Sequence, residues 1–145
     1  MSIFLLDTNV LIALGWPSHP HNHAAHRWMN AIGTDRWATC PVTECGFVRI
    51  SSNKRALPSG TTPAAAIALL NGLKTDARHV FWEDSISICN IRLRHNAIQG
   101  YQQVTDAYLL SLCLAKGGRV ATFDQGFLSL ATTDAERTAV FVVPI

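Results

Sequence analysis

Short, mostly apolar runs alternate along this chain with longer segments of helical periodicity. The short runs begin at Ile3, Arg36, His79, Arg119 and Val140 and last four or five residues each. Brief apolar stretches bounded by turn residues are what strands buried on both faces require. Between them the spacing predicts helices. Val10–Leu14 is the first, and in the second Ala25, Trp28, Met29 and Ile32 recur at i, i+3, i+4 and i+7 before Gly33. A third runs from Pro41 through Ile50, and a fourth from Pro63, capped by Thr62, to Leu73. Ser85–Arg94 and Phe127–Leu130 read as short helices. A long one, capped by Thr105, reaches Lys116 and closes on Gly117-Gly118. Strands alternating with helices specify an α/β fold with a parallel sheet, here as a single domain over residues 1–145.

That pattern gives four carboxylates a common address. Asp7 and Asp124 each follow a strand, while Glu44 and Asp106 each fall in the first turn of a helix. In a parallel sheet all strand carboxyl ends share one edge, where open α/β folds bind ligands. Capping by the helix dipole accounts for any one of these acids. Four on one edge call for more, because two carboxylates about 4 Å apart repel by roughly 4 kcal/mol at an effective dielectric near 20. Such a group needs a cation, and all-oxygen ligation selects Mg2+ or Mn2+ over zinc.

Composition narrows the setting. The chain is 48% hydrophobic and 15% charged with net charge +2, which permits a nucleic-acid partner without indicating one. No apolar run is long enough for a membrane span, and the apolar start is too short for a signal peptide, so a cytoplasmic location is expected. Cys40, Cys45, Cys89 and Cys113 lack zinc spacing and are read as buried, reduced thiols. His19, His21, His23 and His26 crowd one loop and a helix start without sharing a helical face, which argues against a metal site there.

Four motifs in order, Leu6-Asp-Thr-Asn-Val-Leu-Ile12, Thr43-Glu-Cys-Gly-Phe-Val-Arg49, Gln103-Val-Thr-Asp-Ala-Tyr-Leu109 and Ala121-Thr-Phe-Asp124, resemble those of PIN-domain proteins. More narrowly they resemble VapC-type toxins of type II toxin–antitoxin pairs. The resemblance implies a PIN-like α/β/α sandwich with a five-stranded parallel sheet and metal-dependent cleavage of RNA. It implies Asp7, Glu44, Asp106 and Asp124 as metal-binding catalytic acids, supported by Asn9 and Thr122. It also implies a cognate antitoxin, a homodimer, and tRNA or rRNA as substrate. Asp7 and Asp106 are assigned as direct ligands, with Glu44 and Asp124 acting through water or on a second ion.

RNA contact is assigned to Arg49, Lys54 and Arg55, with Arg92 and Arg94 as second choices. Trp16, Trp28, Phe47, Val48, Ile50 and Leu57 exceed what one core should absorb, so part of this set is expected to line a partner groove. A haloacid-dehalogenase-like phosphatase also uses a strand-end Asp but wants a second Asp two residues on, where this chain has Asn9. A catalytically silent PIN-like binding domain would be expected to lack one of the acids, and all four are present.

Overall fold

A computed structural model describes residues 2–145. Five strands, β1 (Ile3–Leu6), β2 (Arg36–Thr39), β3 (His79–Phe81), β4 (Arg119–Thr122) and β5 (Val140–Val142), form one sheet in the order β3-β2-β1-β4-β5. Every pairing is parallel. The chain builds outward from β1 in one direction and returns to build in the other, which makes β1 and β4 the flanks of the topological switch point.

Alternation along the strands sorts the core into two layers. Phe4, Leu6, Trp37 and Ala121 face a layer with α1 (Thr8–Gly15), α2 (Asn22–Ala31), α3 (Pro41–Ser51) and α4 (Pro63–Leu73). Leu5, Ala38 and Val120 face the other, filled by Leu109, Leu110, Leu112 and Cys113 of α5 (Val104–Lys116). Helix α5 ends at Gly117, whose φ of 72° needs the left-handed conformation glycine adopts freely. Gly46 does a different job, since a Cβ there would meet Thr8 Oγ1 at 2.8 Å. Its bareness lets α3 lie close against the start of α1, beside Asp7.

Four expectations need correction. Ser85–Arg94 holds only a 3-10 turn at Ile88–Asn90, stabilised by Ser87 Oγ accepting the Cys89 N–H. Its apolar anchors Ile86, Ile91 and Leu93 have no helical spacing. Thr105 is not a cap, because α5 begins one residue earlier and Gln103 precedes it without a side-chain cap. Cys45 and Cys89 are exposed, unlike Cys40 and Cys113; Cys45 lies on the side of α3 away from buried Thr43 and Phe47. Trp28, Phe47 and Leu57 are buried, so the core absorbs much of the apolar surplus assigned to a partner groove. One helix was not anticipated: α6 (Asp134–Thr138), capped by Thr133. Among the described residues, no helix is long and apolar enough to cross a membrane.

Candidate active site

β1 delivers Asp7 to the switch point. The Asp7 N–H still bonds the Ala121 carbonyl of β4 at 2.9 Å, so its backbone remains part of the sheet's edge. Asp7 is 8% exposed, and its carboxylate takes two hydrogen bonds, Thr8 N–H to Oδ1 and Thr122 Oγ1 to Oδ2, both 2.8 Å long. Asp7 thus caps α1, as the plain reading of its position holds, but a cap needs no such burial. Burial pushes its pKa up to about 6 against the lowering effect of those two bonds, and the charge of Asp124 pushes the same way.

Asp106 is half-buried in the first turn of α5. Its pKa rises to about 7, first through burial and then through the charges of Asp7 and Asp124. Asp124 is exposed; its Oδ1 accepts the Gly126 N–H at 2.8 Å, and its own N–H donates to Thr122 Oγ1 at 2.9 Å. Thr122 is therefore the joint between two acids, giving its proton to Asp7 and accepting from the backbone of Asp124. Asn9 lies two residues beyond Asp7 with a buried Oδ1 that meets no donor. An acceptor stranded in this way is costly unless a cation or water completes it.

Glu44 is held differently. Lys74, the residue that closes α4, meets its Oε2 at 2.8 Å, and the buried Thr39 hydroxyl donates to the same oxygen at 2.7 Å. The structure thus brings Asp7, Asp106 and Asp124 within reach of one another's charge and sets Glu44 in an ion pair. Neither Thr39 nor Lys74 was singled out in the sequence. Thr39 repeats the strand-ending threonine of β4, a signal open to reading; Lys74, thirty positions from Glu44, carries no local signal.

The basic residues fall into two groups. Arg49 is exposed on α3 and lines a hollow of about 360 Å³ with Thr8, Cys45, Asp84 and Thr105. Two of those residues adjoin Asp7 and Asp106 in sequence, which brings Arg49 to the acidic edge. Lys54 and Arg55 are exposed in the loop after α3, and Arg92 and Arg94 are exposed in the segment before α5. A second, apolar groove of about 490 Å³ between α3 and α4 is walled by Val48, Ile67 and Leu70, with Glu44 and Lys74 also on its lining.

The donor set suits a hard cation. Asp7, Asp106 and Asp124 form no ion pair among the described residues, and all offer oxygen. No three acidic, histidine or cysteine side chains among the described residues stand at metal-ligating spacing. The aspartates act on each other through charge rather than as a closed cage. The histidine-rich loop spends its donors locally: His19 Nδ1 accepts the His21 N–H at 3.0 Å, and His26 Nε2 lies 3.0 Å from the Leu14 carbonyl.

Comparison with known proteins matches residues 4–132 to the PIN domain. Ribonuclease VapC39 of Mycobacterium tuberculosis is 45% identical over 129 residues, 88% of this chain and 93% of that protein. Ribonuclease VapC38 of the same organism is 45% identical over 127 residues, 88% and 89% respectively. Among solved structures, the M. tuberculosis sarcin–ricin loop cleaving toxin VapC20 superposes with a TM-score of 0.60 over 92% of this chain and 98% of that one. At 15% identity that likeness speaks to the fold.

Proposed function

This chain belongs to the PIN domain family, and from that premise we propose that it is a divalent-metal-dependent endoribonuclease, the toxin of a toxin–antitoxin pair. The observation that carries the proposal is that Asp7, Asp106 and Asp124 stand close enough at one sheet edge to act on one another's charge, with no ion pair to any of them among the described residues. Its close relatives are ribonucleases by name. Asp7, Asp106 and Asp124 would hold Mg2+ or Mn2+, with Glu44, its charge balanced by Lys74, offering an oxygen from the α3 side.

When bound, such an ion neutralises phosphoryl oxygens and lowers the pKa of water, the two needs of phosphodiester hydrolysis. The chain's own residues do the rest. Thr122 fixes the rotation of the Asp7 carboxylate and the backbone of Asp124. Asn9 Oδ1 is an acceptor for a water or the 2′-hydroxyl of a bound strand. Arg49, on the wall of the adjoining hollow, offers a guanidinium to a backbone phosphate. Lys54 and Arg55 extend that attraction along the loop.

The test uses purified protein stripped of metal and incubated with tRNA and rRNA. Cleavage should appear on adding Mg2+ or Mn2+, vanish with excess chelator, and fall to background in Asp7→Asn. Full cleavage in excess chelator would overturn the proposal. The partners proposed with it are an antitoxin and a second copy of the chain, to be read from solution mass alone and with a co-expressed antitoxin.

A further inference from the structure

The donors around Glu44 are arranged asymmetrically. Thr39 Oγ1 and Lys74 Nζ both fall on Oε2, while Oε1 accepts no hydrogen bond among the described residues. Two donors converging on one oxygen fix the rotation of a carboxylate and leave its other oxygen available. Each donor is itself braced. Thr39 is fully buried at the end of β2, and its single proton goes to Glu44. The 2.8 Å contact between Thr39 Oγ1 and His79 Nε2 is therefore an N–H donated by the histidine. The His79 ring lies against the Trp37 indole with centroids 4.6 Å apart. Lys74 Nζ stands 5.2 Å from the centroid of the Phe81 ring, which steers the ammonium from its far side.

The same device appears at Asp7, where the threonine that ends β4 donates to Oδ2. At Asp7 the hydroxyl acts without a cation, and at Glu44 an ammonium joins it. We infer that Thr39 and Lys74 are positioning residues which hold the Glu44 carboxylate by Oε2 and keep Oε1 free to serve the divalent ion. His79 sets the direction in which the Thr39 hydroxyl points. Lys74 leaves Oε1 free, so it aligns the fourth acid and does not compete for that oxygen. This inference rests on the metal-dependent reading of the site.

The experiment is Mn2+ binding to the whole chain, read from the electron paramagnetic resonance signal of free Mn2+, so that no activity enters. Lys74→Met should weaken binding roughly 10-fold, the low end of what losing a group that orients a ligand costs. Thr39→Val should act in the same direction, and Lys74→Arg should restore most of the affinity. On a Glu44→Gln background, Lys74→Met should change nothing further. Unchanged or tighter binding by Lys74→Met, with binding lost in Asp7→Asn, would overturn this inference alone. An equal loss from Lys74→Met on the Glu44→Gln background would overturn it too, since the effect would not pass through Glu44. Full Mn2+ affinity in Asp7→Asn would overturn the nuclease site and this inference together.

Discussion

Asp7 and Glu44 each receive a hydroxyl from a threonine at a strand's end, yet their electrostatic settings are opposite. Asp7 shares its corner with Asp106 and Asp124, so burial and like charge both favour its neutral form. Glu44 shares its corner with an ammonium 2.8 Å away. A carboxylate with an internal counter-ion is already balanced, and one among other carboxylates is balanced only by something added. The difference separates the two parts of the proposed site by what they lack: the aspartate corner lacks charge, and the Glu44 corner has only to hold its aim.

The sharpest way to break this comparison is catalytic. Asp106→Asn should reduce RNA cleavage to background, whereas Glu44→Gln should leave a measurable rate, perturbing orientation more than charge. Single-turnover cleavage of one RNA at saturating Mg2+ measures both. Equal loss in the two variants would mean that the corners act as one.

Stability of the metal-free protein should show opposite signs at pH 7.5. Asp106→Asn removes a charge the fold disfavours and should raise stability by about 1–2 kcal/mol, several degrees in Tm. Glu44→Gln leaves Lys74 without its partner and should lower stability by about 1 kcal/mol or less, since the pair is partly exposed. Thermal melts in chelator decide. A destabilised Asp106→Asn would show that Asp106 serves the helix start and not a shared field.

The pH dependence sharpens the same contrast. Folded-state pKa values of about 6 for Asp7 and 7 for Asp106 lie above the ordinary 3.8, so the folded state binds these protons more tightly than the unfolded chain. The stabilisation is complete below about pH 4 and is lost as pH rises through 6 and 7. The Tm advantage of Asp106→Asn over the unaltered protein should therefore be near zero at pH 4 and grow to its full size above pH 7. A constant difference across that range would contradict the raised value.

The smallest effect concerns RNA affinity. Replacing Lys54 and Arg55 together by Ala should flatten the dependence of log K on log[salt] by roughly 1–1.5, about 0.7 per lost phosphate contact on single strands. Binding of a non-cleavable RNA in Ca2+ across a salt series measures it. Arg49→Ala, beside the aspartates, should lose affinity as well as slope; an unchanged slope in the double variant would leave Arg49 as the principal contact.

The sheet and its order of elements were legible because buried parallel strands must be short and apolar, as Phe4-Leu5-Leu6 and Val120-Ala121 are. The addresses of the acids were legible for the same reason, since a strand's end fixes the edge on which the next residue stands. Lys74 was not legible: nothing local in Ala68-Leu69-Leu70-Asn71-Gly72-Leu73 announces a partner on α3, and the pairing exists only once α3 and α4 pack. The Ser85–Arg94 segment misled because its isoleucines look helical in composition while their spacing follows a winding loop. Helix α6 carries a readable sign in Thr133 three residues before Glu136, the pattern of a helix start, but at five residues it is too short to show helical periodicity.

The hydrogen bond from Thr122 to Asp7 joins positions 115 apart in the chain. Contacts of such long sequence separation form late, because the entropy of closing the intervening loop must be met before they contribute. During synthesis, the β1 strand leaves the ribosome early and waits unpaired on its β4 side until residues 119–122 have also emerged. A chain that stops short of β4 cannot assemble the aspartate corner. The corner that holds Asp7, Asp106 and Asp124 therefore closes only once the two central strands of the sheet, whose joining residues stand 115 positions apart, have paired.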